Sequence, residues 1–447
     1  MTKTHDATVI GAGLAGSEAA WQLALRGLRV RLVEMRPATL GPAHSGDRFA
    51  ELVCSNSLKS DDPATPPGCL KRELEAFDSL VMRCARETAV PAGAALAVDR
   101  EAFSAAVTAA LESHPAVTVL REEATTLPDG PLILATGPLT SPGLEPALSA
   151  LVGAERLAFY DAAAPVVDAA TVDTSVVFAE SRHGKGEGAD YLNCPFDREE
   201  YEPFVDALLS AERVVAKDFE SRELFSACQP IEQLARSGRD APRFGPMRPI
   251  GLTDPRTGRR PWAVVQLRAE NRARTAFNLV GFQTNLTFAE QRRVFRLIPG
   301  LAEAEFVRYG VMHRNTFVDA PRLLSPDLSL CAHPDVWIAG QLSGTEGYLE
   351  AAGTGMLAAL NLFARLRELD PVVLPPETAL GALVAYATDP ATATYQPMHV
   401  NWGLVPPLAE RLGKRDRRAA YAARAHAVFG TWLSARPDLL PEEGRRA

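Results

Sequence analysis

The sequence predicts an α/β protein: a doubly wound domain with a parallel sheet, carrying a second, α+β domain as an insertion. Three observations support this. Apolar runs end at glycine in three places, Gly11, Gly137 and Gly340 of 447 residues. The first opens a G-x-G-x-x-G spacing, and the next apolar run closes on an acidic residue. Between about 138 and 330, polar loops break up short apolar segments.

The first unit is the most explicit. Ala7–Ile10 reads as a strand, and Gly11, Ala12, Gly13, Leu14, Ala15 and Gly16 read as a phosphate-binding turn that opens a helix over 15–26. Gly11 permits the tight turn, Gly13 lets the backbone approach a pyrophosphate, and Gly16 lets the helix lie close to the strand. Free N–H groups at the helix start hold the negative charge. Gly27 is placed to end the helix. A second strand, Arg29–Glu34, puts Glu34 18 residues beyond Gly16. A carboxylate there accepts from both ribose hydroxyls and repels a 2′-phosphate.

Residues 37–68 read as irregular loops, followed by a helix over 69–85. Asp99 is placed to cap a helix over 100–113, and Val117–Leu120 reads as a strand. Leu132 to Gly137 is a buried strand running into a glycine turn. In the inserted region, Trp262–Leu267 and Ala276–Gly281 read as strands. Val336–Gly340 returns the chain to the first domain. A turn at 341–347 precedes a helix from Tyr348 to about Leu366, with Gly353 near its start. Its N-terminal dipole is suited to an anionic ring. The remaining residues read as helical. The boundaries follow as 1–160, 161–325 and 326–447, with no internal repeat. Three glycine-terminated strands favour FAD over NAD, because the flavin needs the second and third loops. The first domain is thus expected to be a Rossmann-like FAD-binding domain of the glutathione-reductase type.

Composition is that of an ordinary globular protein, 47% hydrophobic and 23% charged. The net charge of −8 argues against a protein coated in nucleic acid, without excluding one basic face. The six cysteines form no C-x-x-C pair and the eight histidines no H-x-x-x-H pair, so no metal is expected. No apolar stretch is long enough to span a membrane. A reducing, cytoplasmic setting is expected.

Several stretches resemble the GidA-related flavoproteins: Gly11–Gly16, Glu34-Met35-Arg36-Pro37, Gly340 to Tyr348, and Ala351-Ala352-Gly353. Three more are similar to the family of folate- and FAD-dependent tRNA (uracil-5-)-methyltransferases. They are Glu51-Leu52-Val53-Cys54-Ser55-Asn56-Ser57-Leu58-Lys59-Ser60, Asp190 to Pro195, and Gln396-Pro397-Met398 with Asn401 to Leu404. Tyr395 and His399 depart from that pattern, where phenylalanine and asparagine are expected. The resemblance implies methylation of the T-loop uridine, position 54 of tRNA, at C5. The carbon comes from 5,10-methylenetetrahydrofolate, and FAD reduced by NAD(P)H supplies the electrons. The alternatives are GidA-type modification of the wobble uridine, an FAD oxidoreductase of a small molecule, and an RNA-binding module without catalysis.

Methylation at C5 of uracil needs a thiolate at C6 and a base for the C5 proton. The resemblance suggests that Cys54 and Cys228 both face the flavin, with Cys228 as nucleophile and Cys54 as acid/base partner. Lys59 is the expected positive neighbour of Cys54. Cys69, Cys84, Cys194 and Cys331 read as small buried hydrophobes. The expected cofactor-binding residues are Gly11 to Gly16, Glu34, Arg36, Gly137, Gly340, Gln341, Tyr348 and Gly353. Residues 236–274 hold ten arginines against Asp240, Asp254 and Glu270, the candidate contact for the tRNA T-arm. Folate calls for an aromatic platform such as Tyr348 and for an arginine, which the sequence does not select.

Overall fold

The computed structural model describes residues 5–41, 43–153, 157–162, 164–184, 189–214, 229–310, 312–392, 395–410 and 412–441. A six-stranded sheet is the platform. Its spatial order is Ser329–Leu330, His333–Ile338, Leu132–Leu134, Ala7–Ile10, Val30–Glu34, Val117–Arg121. Every neighbouring pair is parallel except the edge hairpin of Ser329–Leu330 with His333–Ile338. The strand order reverses between Ala7–Ile10 and Leu132–Leu134, and such a switch point opens a crevice beyond the carboxyl ends of the strands.

Two helices pack on this platform, Leu14–Leu25 and Tyr348–Leu366. Both are buried almost all round, as a helix in the core of a large domain must be. Missing side chains permit their closeness. A Cβ on Gly16 would lie 1.7 Å from the Gly11 carbonyl oxygen, and one on Gly355 would lie 2.1 Å from the Ala15 carbonyl oxygen.

Leu157–Ala162 and Met312–Phe317 pair antiparallel and form the ribbon between the two sheets. The second sheet is wholly antiparallel, in the order Phe178–Ala179, Tyr191–Phe196, Ala263–Ala269, Ala276–Leu279, Val166–Asp168, Phe306–Arg308. It has its own apolar core, including Phe196, Phe204, Phe282 and Phe295. Parallel and antiparallel sheets are thus segregated, as expected for an α/β domain with an α+β insertion.

The structure departs locally from the sequence reading. The helix expected over 69–85 is two helices, Pro66–Glu75 and Leu80–Glu87. Asp78 turns left-handed at φ 54° between them, and the Ser79 hydroxyl caps the second by accepting from the Met82 N–H. The loop region 37–68 contains a strand, Ser57–Ser60, whose partner is Ala95–Val98. Ser-Leu-Lys-Ser has little strand character of its own, so the distant partner supplies the ladder.

Candidate active site

A cleft lies at the switch point, lined by Gly11, Gly13, Leu14 and Ala15 of the glycine turn, by Glu34 and Arg36, by Gly137, and by Gly340, Gln341 and Tyr348. Gly11 and Gly137 have φ of 97° and 68°. A Cβ added at Gly13 or Gly137 would meet no protein atom within 4 Å, so both backbones face open space. This is the cradle that a pyrophosphate needs. Ala12 and Gly16 are not in the lining. The Ala12 N–H donates to Glu34 Oε2 at 2.7 Å, and Gly16 packs beneath the turn. Gly353 also stands apart, facing Leu380 and Leu70 in the core.

Glu34 is buried and held from two sides. Its Oε1 accepts from the Arg36 N–H at 3.1 Å and from Arg36 Nε at 2.7 Å. Burial opposes its charge, but the Arg36 pair and the Ala12 N–H outweigh burial, so its pKa falls below the usual carboxylate value. Oε1 thus accepts two hydrogen bonds and Oε2 one, which leaves an acceptor position on Oε2 for a ligand hydroxyl. Arg36 is fixed in turn by Glu51, with Nη1 3.2 Å from Oε2.

Cys54 is tied to the start of helix Tyr348–Leu366. Tyr348 Oη accepts from the Cys54 N–H at 2.9 Å and the Ser55 N–H at 3.2 Å, and lies 3.0 Å from Cys54 Sγ. Two backbone donors occupy the acceptor positions of the phenol, so its own proton is left for the sulfur. Burial, reinforced by the neighbouring Cys54 charge, raises the Tyr348 pKa well above its usual value, so at neutral pH the phenol is a donor.

The insertion clamps the same loop. Arg268 donates to Asn56 Oδ1 at 2.8 Å and to Ser55 Oγ at 2.7 Å. Asn56 Nδ2 donates to the carbonyls of Val98 and Ala269, both at 2.9 Å. Arg100 forms a two-point pair with Glu270, at 2.7 and 3.1 Å, and also reaches the Leu52 carbonyl. Lys59 is engaged differently from the expectation. Its ammonium pairs at 2.5 Å with Glu350, a buried carboxylate that also accepts from the Val400 N–H at 3.1 Å. Arg100 and Arg308 are in electrostatic reach of Cys54. Arg308 Nε and Nη2 are buried without a hydrogen-bond partner, and burial lowers its pKa.

Cys228 lies outside the described residues. Burial pushes the thiols of Cys69 and Cys84 up to about 12 and about 11, and raises that of Cys194. Cys331 is exposed rather than buried, because it sits in the turn of the sheet's edge hairpin.

A second cleft, of about 580 Å³, begins where the first ends. The two share Gln341 and Tyr348, and the second adds Cys54, Lys59, Glu346, His399, Trp402 and Arg418. That volume suits a drug-sized ligand. The ten-arginine stretch is divided by the fold. Arg268 is buried, Arg239 pairs with Asp206, and Arg272 bonds back to the carbonyls of Ala89 and Glu87. Five of the ten, Arg243, Arg248, Arg256, Arg259 and Arg260, line a groove of about 740 Å³ on the insertion. In this groove Arg243 lies 3.6 Å above the Trp262 ring.

Sheet order, glycine turn and cleft together define a dinucleotide-binding α/β protein. The family model described as Glucose inhibited division protein A matches residues 6–370. Two crystal forms of Aquifex aeolicus GidA share the fold. The form I structure superposes with a TM-score of 0.71 at 17% identity, covering 99% of this chain and 78% of that one. Two curated relatives are named Methylenetetrahydrofolate--tRNA-(uracil-5-)-methyltransferase TrmFO. That of Geobacter sulfurreducens is 56% identical over 432 residues, 96% of this chain and 99% of the relative. That of Moorella thermoacetica is 56% identical over 425 residues, 95% and 97% of the two chains. The chain belongs to the GidA family and, within it, to the TrmFO family.

Proposed function

We propose that the protein transfers a one-carbon unit from 5,10-methylenetetrahydrofolate to C5 of the T-loop uridine, position 54 of tRNA. Uridine, methylenetetrahydrofolate and reduced FAD yield 5-methyluridine, tetrahydrofolate and oxidised FAD. FAD, when bound and reduced by NAD(P)H, supplies the two electrons. The observation that carries this reading is the meeting of two clefts at Gln341 and Tyr348, with Cys54 at the junction.

In this reading the glycine turn, Glu34, Arg36, Gly137 and Gly340 hold FAD, and segments 1–160 and 326–447 form its domain. Cys54 takes the C5 proton of the uracil, positioned by Tyr348 through its backbone N–H and its sulfur. Cys228 adds to C6, which makes C5 nucleophilic. The insertion, 161–325, meets the T-arm through the arginine groove, where Arg243 and Trp262 offer charge and an aromatic face to a nucleotide. The second cleft takes the folate. A tRNA-modifying enzyme of this kind works in the cytoplasm. No described helix is long and apolar enough to cross a membrane.

Incubation with unmodified tRNA, methylenetetrahydrofolate, FAD and NADH tests the proposal. T-loop 5-methyluridine is the expected product, and its absence, or modification only at the wobble position, overturns it.

A further inference from the structure

The lining of the second cleft contains one residue suited to setting specificity. At one end it joins the nucleotide cleft through Gln341 and Tyr348. Arg418 comes from the C-terminal helix Lys414–Ser434, which adds nothing to the nucleotide cleft. Among the described residues Arg418 is the only arginine in the second cleft's lining, and it is exposed. It forms no ion pair among the described residues. Lys59, the other strong cation, is already paired with Glu350. The lining carboxylate, Glu346, accepts from Gln341 Nε2 at 2.8 Å. His399 and Trp402 also line the cleft, and Trp402 is stacked on Tyr421 at 5.4 Å and 15°.

A folate has parts that these residues suit: a pterin that carries the reacting carbon, an aromatic linker, and a glutamate with free carboxylates. The reacting carbon must lie at the junction of the clefts, so the glutamate points away from it. We propose that Arg418 is a specificity-determining residue whose guanidinium pairs with the glutamate carboxylate of the folate. A guanidinium with no ion-pair partner among the described residues is suited to a planar, two-oxygen acceptor. The inference rests on the folate reading of this cleft.

The test compares methylenetetrahydrofolate with methylenetetrahydropteroate, which lacks the glutamate, in steady-state assays of the full chain with FAD, NADH and tRNA. Arg418→Ala is expected to raise KM for the folate about two- to fivefold, the range for a solvent-exposed ion pair. It leaves kcat, KM for tRNA and KM for the pteroate unchanged. Arg418→Lys retains part of the discrimination, and Arg417→Ala, exposed and outside the cleft lining, retains all of it. Equal effects on folate and pteroate, no effect on either, or a raised KM for tRNA instead, overturn the proposal. If the wild type makes no 5-methyluridine from methylenetetrahydrofolate, the functional reading itself fails, an outcome distinct from an inert Arg418 in an active enzyme.

Discussion

One phenolic oxygen, Tyr348 Oη, serves the Cys54 N–H, the Ser55 N–H and the Cys54 sulfur. Removing it leaves two backbone donors without their acceptor, at roughly 1–3 kcal/mol each. Tyr348→Phe is therefore expected to keep FAD yet lower kcat for methylation at least about tenfold, since small displacements of a reacting group are costly. Slower alkylation of Cys54 by iodoacetamide at neutral pH is the accompanying readout, and unchanged methylation and alkylation rates would contradict the assigned role. Arg268→Ala is expected to act similarly from the other side of the loop, releasing Ser55 and Asn56 while leaving the flavin domain folded. Absorbance of bound FAD and the methylation rate separate the two effects.

At this scale the sequence was legible where chemistry is local. Gly11, Gly13 and Glu34 are contiguous enough to be read as a ligand turn. The Tyr348–Cys54 contact joins residues 294 apart, and Arg268–Asn56 joins residues 212 apart. No local pattern encodes those distances. Lys59, close to Cys54 in sequence, was an attractive partner for it, but the carboxylate of Glu350 won the ammonium.

Among the elements, the helix Tyr348–Leu366 depends on close backbone approach. Gly355→Ala would force a Cβ to within 2.1 Å of the Ala15 carbonyl oxygen and is expected to give an FAD-free, poorly folded protein. Gly137→Ala strains φ but meets no atom within 4 Å, so a penalty of about 1–2 kcal/mol is expected. Thermal denaturation and flavin content distinguish the pair. The helix Ala379–Ala387 starts on Glu73, whose carboxylate accepts the N–H groups of Ala379 and Leu380 at 2.7 and 2.9 Å. Burial raises the Glu73 pKa from 4.5 to about 7. The folded state therefore holds this proton where the unfolded chain has lost it. Stability contributed by this group is complete below about pH 4.5 and is lost as pH rises through about 7. Glu73→Gln is expected to flatten that dependence in urea titrations at pH 5 and pH 8, and an unchanged slope would contradict it. The sequence indicated helix and strand types better than their ends: Arg100–Ser113 matches its Asp99 cap, whereas the break at Asp78-Ser79 interrupts a stretch with helical composition on both sides.

For the whole molecule, the proposed tRNA contact is compatible with an acidic protein through segregation of charge. Five arginines gather in the groove on the insertion, while others of the same stretch are consumed by internal pairs. Arg259→Ala with Arg260→Ala is expected to weaken tRNA binding and to flatten its dependence on salt, because fewer counterions are released. Filter binding across a salt series measures this, and an unchanged slope would place the RNA elsewhere.

In the proposed mechanism Cys54, held by Tyr348 where the two clefts meet, takes the proton from C5 of the target uracil. Tritium release from tRNA carrying [5-³H]uridine in the T-loop measures that step. Wild-type holoenzyme with methylenetetrahydrofolate and NADH is expected to release tritium in proportion to the 5-methyluridine formed. Cys54→Ala should bind FAD and tRNA but release none. Release by Cys54→Ala at the wild-type rate would contradict the account.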